Sequence, residues 1–232
     1  MLFFLRKGLT VVIVIGGRIG LGKTTTSQIL SKELNVPVYY ESVEGNKILP
    51  LFYSASEEDQ QKYRYPFLLQ LTFLASRFHS IVEALENDNA ILDRSLYEDY
   101  YFAKKNHDLG RISDLELETY KGILDERRLG LDKLPKKSPD VMVYLHGSFD
   151  TCLQRIKERG RSFEIEPSLV DYYHFLWKDY DSFVTDSYKA SPIISVDVDK
   201  RDILKNESDR KWLLAQLTPY CRQMPPHSSL TK

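Results

Sequence analysis

The chain has 232 residues, 42% hydrophobic and 28% charged, which suits one globular domain with a few excursions better than two full domains. Lys+Arg (32) nearly cancels Asp+Glu (33), and a net charge of −1 argues against a dedicated surface for a nucleic-acid polymer or an anionic membrane. Two cysteines, Cys152 and Cys221, build no disulfide framework and point to reduced thiols in a cytoplasmic setting, and no apolar run reaches the ~18–20 residues of a membrane helix.

In the first residues, Arg6 and Lys7 follow the apolar block instead of preceding it, and no small-residue cleavage site comes after. Residues 1–9 therefore read as a short tail and not as a targeting signal. Val11–Ile15 is the first of the β-branched apolar runs; the others are Val36–Glu41, Ala90–Leu92, Val141–Leu145 and Pro192–Val196. Long segments with helical periodicity separate these runs, the pattern of crossover helices over a parallel sheet.

Directly after the first strand, Gly17-Arg18-Ile19-Gly20-Leu21-Gly22-Lys23-Thr24 satisfies G-x-x-x-x-G-K-S/T and opens a helix over Thr25–Leu34. Glycines let successive backbone N–H groups curl round a phosphate, and the helix N-terminus adds its dipole. Lys23 then neutralises β- and γ-phosphates, and the Thr24 hydroxyl can ligate magnesium. A chance glycine turn would lack the strand before and the helix after, so the motif implies a nucleoside triphosphate.

Val36, Val38 and Tyr40 alternate along the second strand, and Glu41 stands at its carboxyl end, where open parallel sheets bind ligands. Phosphoryl transfer to a neutral hydroxyl benefits from a base, which makes Glu41 a candidate; in isolation it would read as a surface residue. Residues 54–65 are polar and predict a surface insertion. From Pro66 a helix carries Phe67, Leu71, Leu74, Phe78, Ile81 and Leu85 as one apolar stripe, with Gln70 and Arg77 nearly aligned at its edge. These two could be boundary residues or line a pocket, where a Gln amide can pair bidentately with a base edge.

Asp93-Arg94-Ser95 ends the third strand on the same rim. There a carboxylate can hold Mg²⁺ and an arginine can bridge acceptor and phosphoryl oxygens; a helix-capping Asp beside a solvated Arg is the plainer alternative. Further helices are expected in 101–131 and 171–190. Arg155, Arg159 and Arg161 cluster around Gly160, and either complement a helix C-terminus or form a lid that clamps the transferring phosphoryl group. The tail over 225–232 lacks periodicity and is expected to be loose.

Together these motifs resemble the deoxynucleoside kinase family, especially its bacterial deoxyadenosine/deoxyguanosine members. The resemblance rests on the glycine-rich loop at 17–24, Tyr40-Glu41-Ser42-Val43, Leu49-Pro50-Leu51-Phe52-Tyr53, Phe67-Leu68-Leu69-Gln70 with Arg77, Leu92-Asp93-Arg94-Ser95-Leu96-Tyr97-Glu98-Asp99, and Arg155 through Arg161. It implies an α/β P-loop kinase fold: a five-stranded parallel sheet flanked by helices, with an arginine lid. It implies ATP as donor with Mg²⁺ at Thr24 and Asp93, and phosphate contacts from Gly17 through Thr25, Arg18 included, and from Arg155, Arg159 and Arg161. Lys23, Glu41 and Arg94 would be catalytic. Tyr53 and Glu164 would hold the sugar 3′-hydroxyl, while Gln70, Arg77 and Asp99 would read the base. An Arg77–Asp99 pair resembles the purine and deoxycytidine members, whereas thymidine-preferring relatives carry apolar residues there. Ala103 stands where relatives often carry a ring that stacks on the base, with Phe102 beside it; Asp197 and Asp199 lie in the region that contacts the adenine of ATP. The family also implies a homodimer through helix packing and feedback inhibition by a deoxynucleoside triphosphate.

Two other readings remain to be weighed. A thymidylate-type monophosphate kinase shares the P-loop and arginine lid, but its acceptor is already a phosphate and needs no base such as Glu41. A non-catalytic nucleotide-binding subunit would not need Lys23, Glu41, Asp93 and Arg94 together. The guanine motif Asn-Lys-x-Asp of a GTPase switch is absent from the sequence.

Overall fold

The computed structural model describes residues 9–40, 45–131 and 138–223. Along the chain these form β1 (Leu9–Thr10), β2 (Val12–Gly17), α1 (Lys23–Leu34), β3 (Val38–Tyr39), α2 (Ile48–Ser54), α3 (Glu57–Tyr63), α4 (Tyr65–Asn87), β4 (Ala90–Asp93), α5 (Leu96–Asp108), α6 (Asp114–Leu131), β5 (Val141–His146), α7 (Phe149–Arg159), α8 (Val170–Lys178), α9 (Tyr180–Ser187), β6 (Ile193–Asp197), α10 (Glu207–Leu217) and β7 (Arg222–Gln223).

The main sheet runs β3-β4-β2-β5-β6, and every neighbouring pair is parallel. Helices cover both faces, which is why β2, β4 and β5 read as unbroken apolar runs. Strand alternation still operates within them. Val11, Ile13 and Ile15 pack with Leu30 and Leu34 of α1, Ile156 of α7, Leu176 of α8 and Leu213 of α10. Val12 and Val14 face the opposite way, onto Leu74, Ile81 and Leu85 of α4, Tyr120 of α6 and Tyr180 of α9. Because β3 and β4 lie on one side of β2 and β5 and β6 on the other, the strand order reverses at β2. That reversal opens a crevice at the carboxyl ends of the strands.

Three expectations change in detail. Leu9, read as the end of the tail, forms with Thr10 a strand paired antiparallel with Arg222–Gln223. The polar stretch 54–65 holds a short surface helix, α3 (Glu57–Tyr63), between the end of α2 and the start of α4: Ser56 caps it, accepting from the Asp59 N–H at 3.1 Å, and three acidic residues occupy its first turn. The second strand covers only Val38–Tyr39, and Glu41 lies outside the described residues, as do residues 1–8 and 224–232. Among the described residues no helix is long and apolar enough to cross a membrane.

The α3–α4 junction is tied to α6 by Arg64, which donates to Glu116 through Nε at 2.7 Å and also through Nη2. Glu116 further accepts from the Ser113 N–H and Oγ, each at 2.8 Å. The Arg64 guanidinium, then the Ser113 bonds, pull the Glu116 carboxyl from 4.5 to about 2. A folded-state pKa below the unfolded value means that the stabilisation is complete above the unfolded pKa and is lost as pH falls toward about 2. Glu116→Gln is therefore expected to lower folding stability by about 1 kcal/mol at neutral pH. In urea titrations at several pH values, the gap to wild type should close on acidification from about 5 toward 2; a gap independent of pH would assign the loss to another contact.

Candidate active site

Gly17 and Gly20 show why the loop after β2 requires glycine. At φ +144° and +81° they occupy the left-handed half of backbone space, and a Cβ would lie 2.5 Å from the Leu145 carbonyl oxygen and 2.8 Å from that of Cys152. The loop leads into α1, whose N-cap, Gly22, offers no side chain to its first N–H groups. Lys23, Thr24 and Thr25 follow and line a cavity of about 1050 Å³. A helix N-terminus without a side-chain cap, opening on a cavity beside a lysine, is built to receive an anion. The Lys23 ammonium donates to the Arg18 carbonyl at 2.9 Å, and the Thr24 hydroxyl donates to Asp93 Oδ2 at 2.8 Å. A hydroxyl and a buried carboxylate side by side present the hard oxygen donors that suit Mg²⁺.

Arg18 departs from its expected place. Its side chain turns away from the cavity: Nη1 donates to the Gly147 carbonyl at 3.1 Å, Nη2 pairs with Asp181 at 2.6 Å, and the guanidinium lies 4.6 Å from the Trp177 ring. With Nη1 and Nη2 directed at the end of β5 and at α9, the Arg18 side chain braces the loop from behind and does not line the cavity. Cys152 also lies behind the loop. Burial pushes its thiol up to about 11, so it stays protonated and donates to the Ile19 carbonyl at 3.0 Å.

Asp93 and Arg94 meet the cavity from β4. Arg94 has φ +85°, rare for a residue with a Cβ; such a backbone persists only where its surroundings hold it, and it occurs preferentially at functional sites. Here the Arg94 N–H donates to the Ile15 carbonyl at 3.0 Å, extending the β2–β4 ladder into the turn. The Arg94 guanidinium lies 4.8 Å from the Phe102 ring, which itself lines the cavity. Ala103, by contrast, is buried in the core beneath.

The other end of the cavity collects the remaining residues. Gln70 and Asp99 line it, both buried, and Arg77 lies behind Asp99, donating from Nε at 3.0 Å and Nη2 at 3.3 Å. Arg77 also donates to the Asp93 carbonyl, linking this end to the β4 turn. Tyr53 and Glu164 line the cavity together. Tyr53 stacks on Phe163 with centroids 5.8 Å apart, and burial pushes its phenol well above the usual tyrosine value, so it stays a neutral hydroxyl. Arg155, Arg159 and Arg161 all reach the cavity: Arg155 donates to the Leu21 carbonyl at 3.1 Å, while Arg159 and Arg161 both hold Glu164. Gly160 is the left-handed C-cap of α7, as the helix-terminus reading of the arginine cluster has it.

Sequence reasoning missed several lining residues. Leu69 and Phe73 share the cavity face of α4 with Gln70, as spacings of three and four residues require, and Tyr172 enters from α8. After β6, Val198 and the segment 201–205 line the cavity, whereas Asp197 and Asp199 do not. Asp199 accepts from the Ser148 N–H at 2.7 Å, and Asp197 from the Asp199 N–H at 3.1 Å, so both carboxylates shape the turn itself. The family resemblance marked this loop, though at Asp197 and Asp199, and no residue pattern singled out Val198 or 201–205.

A family model for deoxynucleoside kinases matches residues 13–222. A deoxyguanosine kinase from Lactobacillus johnsonii is 43% identical over 92% of this chain and 93% of its own length, and a deoxyadenosine kinase from Lactobacillus acidophilus is 38% identical over 92% and 97%. Among solved structures, the deoxyadenosine kinase from M. mycoides with bound dCTP superposes with a TM-score of 0.73 at 30% identity, covering 90% of this chain and 99% of that one. The five-stranded parallel sheet, the glycine-rich loop and the cavity they share thus have a common origin with these enzymes: the chain belongs to the deoxynucleoside kinase family and is a phosphotransferase that acts on deoxynucleosides in salvage.

Proposed function

We propose that the enzyme moves the γ-phosphoryl group of ATP to the 5′-hydroxyl of a purine deoxynucleoside, deoxyguanosine or deoxyadenosine, and that the whole chain is one catalytic domain. The observation that carries this reading is the polarity of the cavity. Its phosphate end holds Lys23, Thr24 and the α1 N-terminus; its acceptor end holds Gln70, Asp99, Tyr53 and Glu164. A monophosphate acceptor would require cations where Asp99 and Glu164 stand, so a neutral nucleoside suits that end better. Asp99, oriented by Arg77, presents carboxylate oxygens to N–H donors on a purine edge, and the L. johnsonii and L. acidophilus relatives act on purine deoxynucleosides.

In this reading Tyr53 and Glu164 hold the sugar 3′-hydroxyl, Glu41 takes the proton of the 5′-hydroxyl, and Arg94 bridges acceptor and phosphoryl oxygens. The backbone from Gly17 through Thr25 cradles the donor phosphates with Lys23, and Arg155, Arg159 and Arg161 close over them. Thr24 and Asp93 would hold Mg²⁺, whose part is to neutralise charge on the donor phosphates. The catalytic gain then comes from positioning and charge neutralisation. A deoxynucleoside triphosphate such as the dCTP or dATP bound in the M. mycoides enzyme would occupy the acceptor end and inhibit. The enzyme acts in the cytoplasm as a homodimer, for which exposed Leu115, Ile123 and Leu129 on α6 supply apolar contact.

The direct test is ATP- and Mg²⁺-dependent phosphorylation of the four deoxynucleosides, with dTMP and adenosine as controls. Turnover of deoxyguanosine or deoxyadenosine with dTMP inert is expected. Turnover of thymidine or deoxycytidine in preference to both purines would overturn the base assignment, and preferential turnover of dTMP would overturn the acceptor class.

A further inference from the structure

Glu98, 1% exposed, is bonded on both sides in a way that its place in a helix does not explain. Oε2 accepts from the Ser95 N–H at 2.8 Å and Oγ at 3.1 Å, and the Ser95 Oγ accepts from the Glu98 N–H at 3.4 Å, completing a capping box at the start of α5. Capping uses that oxygen alone. Oε1 points the other way, across the sheet, where it accepts from the Gly17 N–H at 2.9 Å and from the Tyr180 hydroxyl, and lies 3.7 Å from Arg94 Nη1. Tyr180 itself stays a donor, because burial followed by the Glu98 charge pushes its phenol well above the usual value. One carboxylate therefore joins the first glycine of the phosphate loop, the strained Arg94 turn and α9.

We infer that Glu98 is a positioning residue that sets Arg94 and the entry to the phosphate loop in register, so that the donor and acceptor ends of the cavity meet at the right separation. The inference rests on the role given above to Arg94. Both Glu98 oxygens face backbone N–H groups, so both must accept. A glutamine cannot satisfy this, since its NH₂ must confront either the Gly17 or the Ser95 N–H. Misplacement of the Arg94 turn would lower the rate of transfer more than it weakens substrate binding.

The test is a double-mutant cycle between Glu98→Gln and Arg94→Lys, with steady-state kcat and KM for ATP and deoxyguanosine or deoxyadenosine, and with Tm recorded for each protein. Glu98→Gln is expected to lower kcat about 10- to 100-fold while both KM values move about threefold or less. In the Arg94→Lys background the same change should cost about threefold or less, because the group being positioned is already lost. Should Glu98→Gln not fold, Tyr180→Phe takes its place in the cycle, with a smaller loss of kcat that again vanishes beside Arg94→Lys. A kcat within about twofold of wild type, or equal losses in both backgrounds, overturns the inference and leaves Glu98 a helix cap. Full activity of Arg94→Lys overturns this inference together with the role of Arg94.

Discussion

Replacing Glu41 by glutamine is expected to lower kcat by about 10²- to 10⁴-fold while leaving the KM for the deoxynucleoside within a few-fold of wild type. The substitution keeps the size of the side chain and removes only its capacity to take a proton. On the proposed reading the groups that would bind the two substrates remain: Lys23 and the α1 N-terminus on one side of the cavity, Gln70, Asp99, Tyr53 and Glu164 on the other. Glu41 follows Tyr40, which lines the cavity directly after β3, and β3 pairs through Tyr39 with Leu92, the residue before Asp93 and Arg94. A 5′-hydroxyl is a poor nucleophile until its proton has somewhere to go, so loss of the base should appear in the chemical step. Steady-state kinetics with calorimetric binding of the nucleoside separate the alternatives. If kcat held and only KM rose, Glu41 would be a binding residue and the proton would leave by another route.

The central strands β2, β4 and β5 were legible because burial on both faces leaves few residue types that can occupy them, and the glycine-rich loop because its backbone geometry excludes side chains. The ends of the elements were less so. β2 continues through Gly16 and Gly17, which pair with Tyr144 and Leu145 although their composition suggests a loop; ladder hydrogen bonds need no side chain. Leu9–Thr10 pairs with Arg222–Gln223, from the opposite end of the chain, and no local pattern encodes a partner so distant. α3 buries none of its residues, so periodicity could not announce it, and its cap and acidic first turn are the only signals. Arg18 shows a further limit. A motif defines where the backbone goes at its variable positions, but the direction of the side chain depends on what lies behind the loop, here Gly147, Trp177 and Asp181. Gln70 and Arg77 illustrate the same point on α4, where helical spacing placed both at the edge of the apolar stripe and only the packing of α5 decided that one lines the cavity and the other braces Asp99.

Arg77 and Asp99 are expected to behave as one unit in both stability and selectivity. Their side chains are 4% and 3% exposed, so removing either partner strands a charge in the core. Arg77→Met or Asp99→Leu alone should destabilise the fold by about 3–5 kcal/mol, visible as a lower midpoint in urea. The double variant should recover most of that loss, because two apolar side chains need no counter-charge; the bond from Arg77 to the Asp93 carbonyl, worth about 1 kcal/mol, is not recovered. Selectivity should not recover. With Asp99 gone, the acceptor end loses the carboxylate oxygens that, on the proposed reading, would meet N–H donors on a purine, and it gains apolar volume, which suits the methyl group of thymidine. The ratio of kcat/KM for deoxyguanosine or deoxyadenosine to that for thymidine should fall by about 100-fold, since a site built around hydrogen bonds discriminates far more strongly than one built on shape alone. A double variant that folds well and keeps the wild-type ratio would reduce the pair to a core ion pair, and base reading would then rest on Gln70 and the aromatic lining of the cavity.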